Sequence, residues 1–210
     1  SEVMADPSAV ADAQGEWFEV YNPTSFTIDL IGMAFEDDDG DGFFVDEPLR
    51  IDGGGRAVLA VHADPAVNGG VEADYVYDRA DFVLDDDVDS IRIVDGGKLL
   101  FAMSYSSSRG SGSGVALSLD PAFHDAASAP YSAYWCASVD AMTGGDLGTP
   151  GADNGWCTSV DHDGDGFSED TGDCADDDAA IGPDAPERWN GLDDDCDGTV
   201  DSTTADALAS

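Results

Sequence analysis

From residue 156 to residue 210 the chain carries 17 of its 46 acidic residues and one base, Arg188. That much like charge on so little apolar material repels itself and does not hold a fold unaided. The stretch DHDGDGFSEDTGDCADDD (161–178) concentrates the conflict, with nine carboxylates in eighteen positions. Either the segment is a solvated acidic extension, or cations neutralise it and crosslink its loops. The spacing of the carboxylates favours cations.

Asp161-x-Asp163-x-Asp165-Gly166 reproduces the first half of a calcium loop. In such a loop oxygens at positions 1, 3 and 5 converge because the glycine at position 6 permits a sharp turn, and position 7, here Phe167, offers its backbone carbonyl. Position 12 is Gly172 rather than a glutamate, so Asp173, one residue later, is expected to close the site. In a second window Asp176 and Glu187 occupy positions 1 and 12 with Asp178 at position 3, which makes Glu187 a bidentate closing ligand. A third half-motif runs Asp193-x-Asp195-x-Asp197-Gly198, followed by Thr199 at position 7 and Asp201 at position 9. Overlap of the three predicts two ions sharing one compact cage rather than three separate hands. These hard oxygen donors suit calcium, whereas magnesium demands a tighter octahedron. Asp37, Asp39 and Asp41, followed by Phe43, repeat the spacing in an expected hairpin loop that Asp46 or Glu47 would close; calcium and a solvated turn are balanced readings there.

A formal net charge of −39 argues against nucleic acid, which demands a basic footprint, and against anionic membranes. No apolar run approaches the roughly eighteen residues of a membrane span. Cys136, Cys157, Cys174 and Cys196 form no C-x-x-C pair, and an even number suggests an exported, oxidised protein whose signal peptide has been removed. Of the three possible pairings, Cys174 with Cys196 and Cys136 with Cys157 are favoured, since each closes a loop of about twenty residues, worth roughly 3 kcal/mol.

Ahead of the acidic segment the pattern is all-β. EWFEVYNP (16–23), FTIDLIGMAF (26–35), RAVLAVHAD (56–64), DSIRIVDGGKLLFAMSYS (89–106) and GVALSLDP (114–121) alternate with turn signals, and Asp95-Gly96-Gly97 marks a hairpin. Regular strands with Gly, Pro, Asn and Asp punctuation imply a sandwich.

Two resemblances follow. SEVMADP, GEWFEVYNP, the DLIG turn and the closing GTPGADN, in that order over residues 1–154, resemble the lamin-tail domain found on bacterial exported proteins. That resemblance implies an immunoglobulin-like β-sandwich without catalytic residues, and a processed or trimmed start at Ser1. DHDGDGFSEDTGDCADDDAAIGPDAPERWNGLDDDCDG closely resembles the metal-binding repeat of MopE-type bacterial surface proteins. This second resemblance implies calcium on the Asp and Glu positions named above, with Cys174 and Cys196 bridged across the cage. Copper is associated with MopE itself through features outside the repeat, and is not carried over.

The expected organisation is a sandwich (1–154), a junction (155–160), a disulfide-stapled calcium-binding repeat (161–201) and a C-terminal tail (202–210). His62, His124 and His162 are scattered and no nucleophile elbow is present, so no enzyme is expected. The function expected is that of a calcium-binding extracellular structural or adhesive protein. It is expected to self-assemble into a filament or surface layer through the N-terminal strand or the STTADALAS tail. The alternatives are an accessory module of a secreted hydrolase and a surface copper-binding protein.

Overall fold

The computed structural model describes residues 1–109, 111–125 and 127–201. The chain divides into two compact units, Ser1–Cys157 and Thr158–Ser210.

Among the described residues, twelve strands build the first unit: β1 (Glu2–Met4), β2 (Trp17–Tyr21), β3 (Ile28–Asp29), β4 (Ala34–Glu36), β5 (Gly42–Phe44), β6 (Arg50–Ile51), β7 (Arg56–Ala60), β8 (Tyr75–Val76), β9 (Val88–Asp95), β10 (Lys98–Ser106), β11 (Leu117–Leu119) and β12 (Trp135–Ala137). They form a six-stranded sheet in the order β12-β11-β1-β2-β7-β8, a four-stranded sheet β10-β9-β4-β5, and a two-stranded ribbon β3-β6. Every pairing is antiparallel except β7 with β8. The chain is thus all-β, with one short helix, Asp12–Gly15, and a few 3-10 turns among the described residues.

Period-two alternation in β2 explains why its sequence is so apolar. Phe18 enters the core between the sheets and meets Phe35, Tyr77 and Phe82 at ring separations of 5.2, 5.7 and 5.9 Å. Trp17 points to the opposite face, where Met4, Val58, Ala60, Val71 and Ala116 cover it. A strand buried on both faces reads as a nearly continuous hydrophobic run. Glu19 lies within that run, fully enclosed, with Arg56 Nε 3.3 Å away and the Gly151 amide donating to it at 2.7 Å.

The hairpin expected at Asp95-Gly96-Gly97 joins β9 to β10, and Gly96 and Gly97 both adopt positive φ (55° and 84°), as a two-residue turn of this hand requires. FTIDLIGMAF, an apolar stretch that the resemblance interrupts at the DLIG turn, forms two strands. Gly32 at φ 81° turns the chain between β3 and β4, and the Met33 amide closes that turn on the Leu30 carbonyl at 3.0 Å. The N-terminal strand also departs from expectation as a docking element: β1 is hydrogen-bonded on one side to β11 and on the other to β2, so neither edge is free. The STTADALAS tail lies outside the described residues.

Both disulfides pair as favoured, Cys136 with Cys157 in the first unit and Cys174 with Cys196 in the second, each with Cα atoms 5.7 Å apart. Among the described residues no helix is long and apolar enough to cross a membrane.

Candidate metal centre

The second unit contains no strand among its described residues and a single 3-10 turn, Glu169–Thr171. Its backbone is held by carboxylates that accept amide hydrogens, and two loops do this in nearly the same register. Asp161 accepts from the amides of Gly164 (2.7 Å) and Gly166 (2.9 Å), and Asp193 accepts from those of Asp197 (3.2 Å) and Gly198 (2.9 Å). Two residues on, Asp163 caps the Asp165 amide and Asp195 caps the Asp197 amide; two further on, Asp165 caps Phe167 and Asp197 caps Thr199. Gly166 and Gly198 occupy matching turns at φ 104° and 89°. Cys196 stands where the first loop has Gly164 and takes a positive φ of 56°, a conformation unusual for a side-chain-bearing residue. Each loop therefore turns its carboxylates inward through its own local hydrogen bonds.

Two clusters result. Oxygens of Asp161, Asp163 and Asp165 lie within 4.8 Å of one another, and so do oxygens of Glu187, Asp193 and Asp195. Asp173, expected to close this site, is not one of the three residues whose oxygens converge, but its charge acts on Asp163. Loss of water, and then the carboxylates of Asp165, Asp173 and Asp161, push Asp163 above the ordinary aspartate value against the pull of the Asp165 amide. Gly182 packs against the same group: a Cβ placed there would lie 2.6 Å from Asp165 Oδ2 and 4.0 Å from Asp173 Oδ1.

Three carboxylate oxygens in or beside these clusters, Asp163 Oδ2, Asp173 Oδ2 and Glu187 Oε2, are buried without a hydrogen-bond partner. Asp173 and Glu187 are themselves 4% and 7% exposed. The other oxygen of each is satisfied: Asp173 Oδ1 accepts from Ala175 N at 2.8 Å, and Glu187 Oε1 from Asp194 N at 2.9 Å. An unpaired carboxylate oxygen beside like charges is what a cation-binding cage presents in the absence of its ion.

The remaining expected ligands are placed differently. Asp176 pairs with His162, accepting from its amide at 3.1 Å and meeting its Nδ1. Asp178 caps the Ala180 amide and belongs to neither cluster. Glu187, expected to close a window opened by Asp176 and Asp178, stands instead with Asp193 and Asp195. Asp201 reaches back to accept from the Asn190 and Gly191 amides at 2.9 and 3.0 Å. In the first unit, Asp37 Oδ1 accepts from the amides of Asp39, Gly40 and Asp41, which makes this loop the self-closed tip of the β4–β5 hairpin. Phe43 packs into the core against Phe35 and Tyr77, and Asp46 is held by the Tyr75 hydroxyl at 3.0 Å. Asp37, Asp39 and Asp41 form no ligand cluster among the described residues.

Asp194, which the spacing does not single out, is the most enclosed acid among the unit's described residues at 1% exposed. It accepts from Arg188 N at 2.9 Å and from Asn190 Nδ2 at 3.0 Å, and its carbonyl receives the Gly182 amide at 2.9 Å. It ties the second cluster to the Gly182 segment that borders the first.

No curated protein and no solved structure gives a significant match to the chain. Residues 173–202 match the family described as "Putative metal-binding motif", named Cu-binding MopE. That stretch includes Asp173 and the whole Glu187 cluster, while the Asp161 loop precedes it. The second unit thus carries a metal-binding motif.

Proposed function

We propose that the second unit binds two calcium ions, one held by Asp161, Asp163, Asp165 and Asp173 and one by Glu187, Asp193 and Asp195. The observation that carries this reading is the trio of buried, unpartnered oxygens at Asp163, Asp173 and Glu187. Donor chemistry favours calcium over the copper of the family's name: both clusters are carboxylate only, the four cysteines are in disulfides, and the unit holds no methionine. Its one histidine, His162, is engaged with Asp176.

In this proposal the whole chain is a non-enzymatic, exported structural or adhesive protein of the extracellular space or cell surface. Its first unit is an immunoglobulin-like sandwich of the lamin-tail kind, and its second is a calcium-locked module. Two disulfides support an oxidising compartment. Assembly into a filament or layer would draw on the nine-residue strand β10, an edge of its sheet, rather than on the fully paired β1. Thermal melting during calcium addition, reversed by EDTA, tests the metal reading; light scattering in millimolar calcium tests the assembly reading. Unchanged melting in EDTA counts against calcium, and a monomer at all calcium levels counts against assembly.

A further inference from the structure

We propose that the interior of the first unit is a binding site for an uncharged, apolar small molecule, entered beside Leu100. A cavity of about 360 Å³ lies there, with Val20, Ile28, Met33, Ile93, Leu100 and Phe101 in its wall. This is within the range of small-molecule sites. Val20, Ile28, Met33, Ile93 and Phe101 pack against the core yet remain only partly covered. A sandwich packed to ordinary density leaves no such apolar space between its sheets.

The backbone shapes the entrance. Along the β9–β10 ladder Leu99 pairs with Val94 and Phe101 with Ile93, which leaves Leu100 as the extra residue of a bulge. Neighbours in a regular strand point to opposite faces; here Leu100 and Phe101 both line the cavity, and Leu99 does not. Leu100 is 44% exposed at the mouth.

The wall selects against charge. No lysine or arginine lines it, and its carboxylates, its histidine and the Ser1 ammonium, which donates to the Glu19 carbonyl at 2.7 Å, are committed elsewhere. Glu19 is paired with Arg56 and the Gly151 amide, Asp125 accepts from the amides of Ala127 and Ser128, and His124 Nε2 meets the Leu119 carbonyl. A charged group entering would lose water and gain no partner, and the acidic chain repels anions before they arrive.

The test uses the full chain in millimolar calcium with the neutral fluorophore N-phenyl-1-naphthylamine. Expected is saturable uptake of one molecule per chain, displaced by decanol and not by decanoate. Leu100→Asp should weaken uptake by about tenfold or more and Leu99→Asp, one residue away and 48% exposed, by less than about twofold, both with wild-type melting. Met33→Trp, which fills the cavity from the β4 side, should abolish uptake while the chain stays folded. Non-saturable uptake, equal losses in the two leucine variants, undiminished uptake by Met33→Trp, or displacement by decanoate as readily as by decanol would each overturn the assignment.

Discussion

Glu187 accepts the amide hydrogen of Asp194 at 2.9 Å through Oε1, and its Oε2, buried beside Asp193 and Asp195, has no hydrogen-bond partner. One half of the carboxylate thus fixes the backbone and the other half is unpaired. Leaving a buried polar group unsatisfied costs about 1–3 kcal/mol, more when it is charged, so a cation at Oε2 relieves both the missing bond and the repulsion. Glu187→Gln, which keeps the shape and removes the charge, should lower calcium affinity at this cluster by about 10–100-fold. Asp178→Asn, outside both clusters, should change it by less than about twofold. Calorimetric titration of the two variants checks the difference.

The first cluster has its own steric test. Gly182→Ala places a methyl group 2.6 Å from Asp165 Oδ2, closer than any real contact, in backbone that needs no glycine for its φ. Expected is loss of one calcium equivalent with the Glu187 cluster still loading. Retention of both equivalents would remove Asp165 from the cage.

The Cys174–Cys196 bridge closes 22 residues across the same unit. Cys174→Ser with Cys196→Ser should destabilise the unit by about 3 kcal/mol and make its folding more dependent on calcium. Melting at a series of calcium concentrations measures this: the variant should need more calcium to reach a given midpoint.

The parts of the site legible in the sequence are the local ones. In Asp161–Phe167 and Asp193–Thr199, carboxylates two residues apart bond amides a few residues ahead, so spacing alone carries the geometry. The partner of Glu187 was not legible, because a chain reversal between Arg188 and Asp193, braced by Asp194 and Asn190, brings it to Asp193 and Asp195 rather than to Asp176 and Asp178. Asp194 itself sits between two ligands in an acidic run, and nothing in composition marks it as enclosed. In the first unit the longer strands and the Gly96-Gly97 hairpin were readable. Strands of two or three residues, such as β6, β8 and β12, are too short to show a period, and the turn at Gly32 was carried by the DLIG resemblance rather than by periodicity.

The two units should respond to pH in opposite directions. Burial pushes Glu2 and Glu16 up to about 7 and Asp89 up to about 6, despite hydrogen bonds from Ser118 and Thr149 to Glu2 and from Arg79 to Glu16. A carboxyl whose value is higher in the folded state than in the unfolded one stabilises fully below its unfolded value, here about 4 to 4.5, and that stability is lost as pH rises through 6 to 7. Amide-exchange protection of β2 and β7 should therefore decline from pH 5 to pH 8 by an amount on the order of 1–3 kcal/mol. Calcium binding needs deprotonated carboxylates and should weaken as pH falls. Protection of β2 and β7 that rose with pH would contradict the burial assigned to Glu2 and Glu16.

The most direct test of the central claim is calorimetric titration of the metal-free, disulfide-intact chain with calcium, with copper in a parallel run. The account predicts two calcium equivalents per chain, one lost in Asp163→Asn and the other in Glu187→Gln, and no comparable copper binding at either cluster. Absence of calcium heat together with melting unchanged by EDTA, or copper displacing calcium at both clusters, would contradict it.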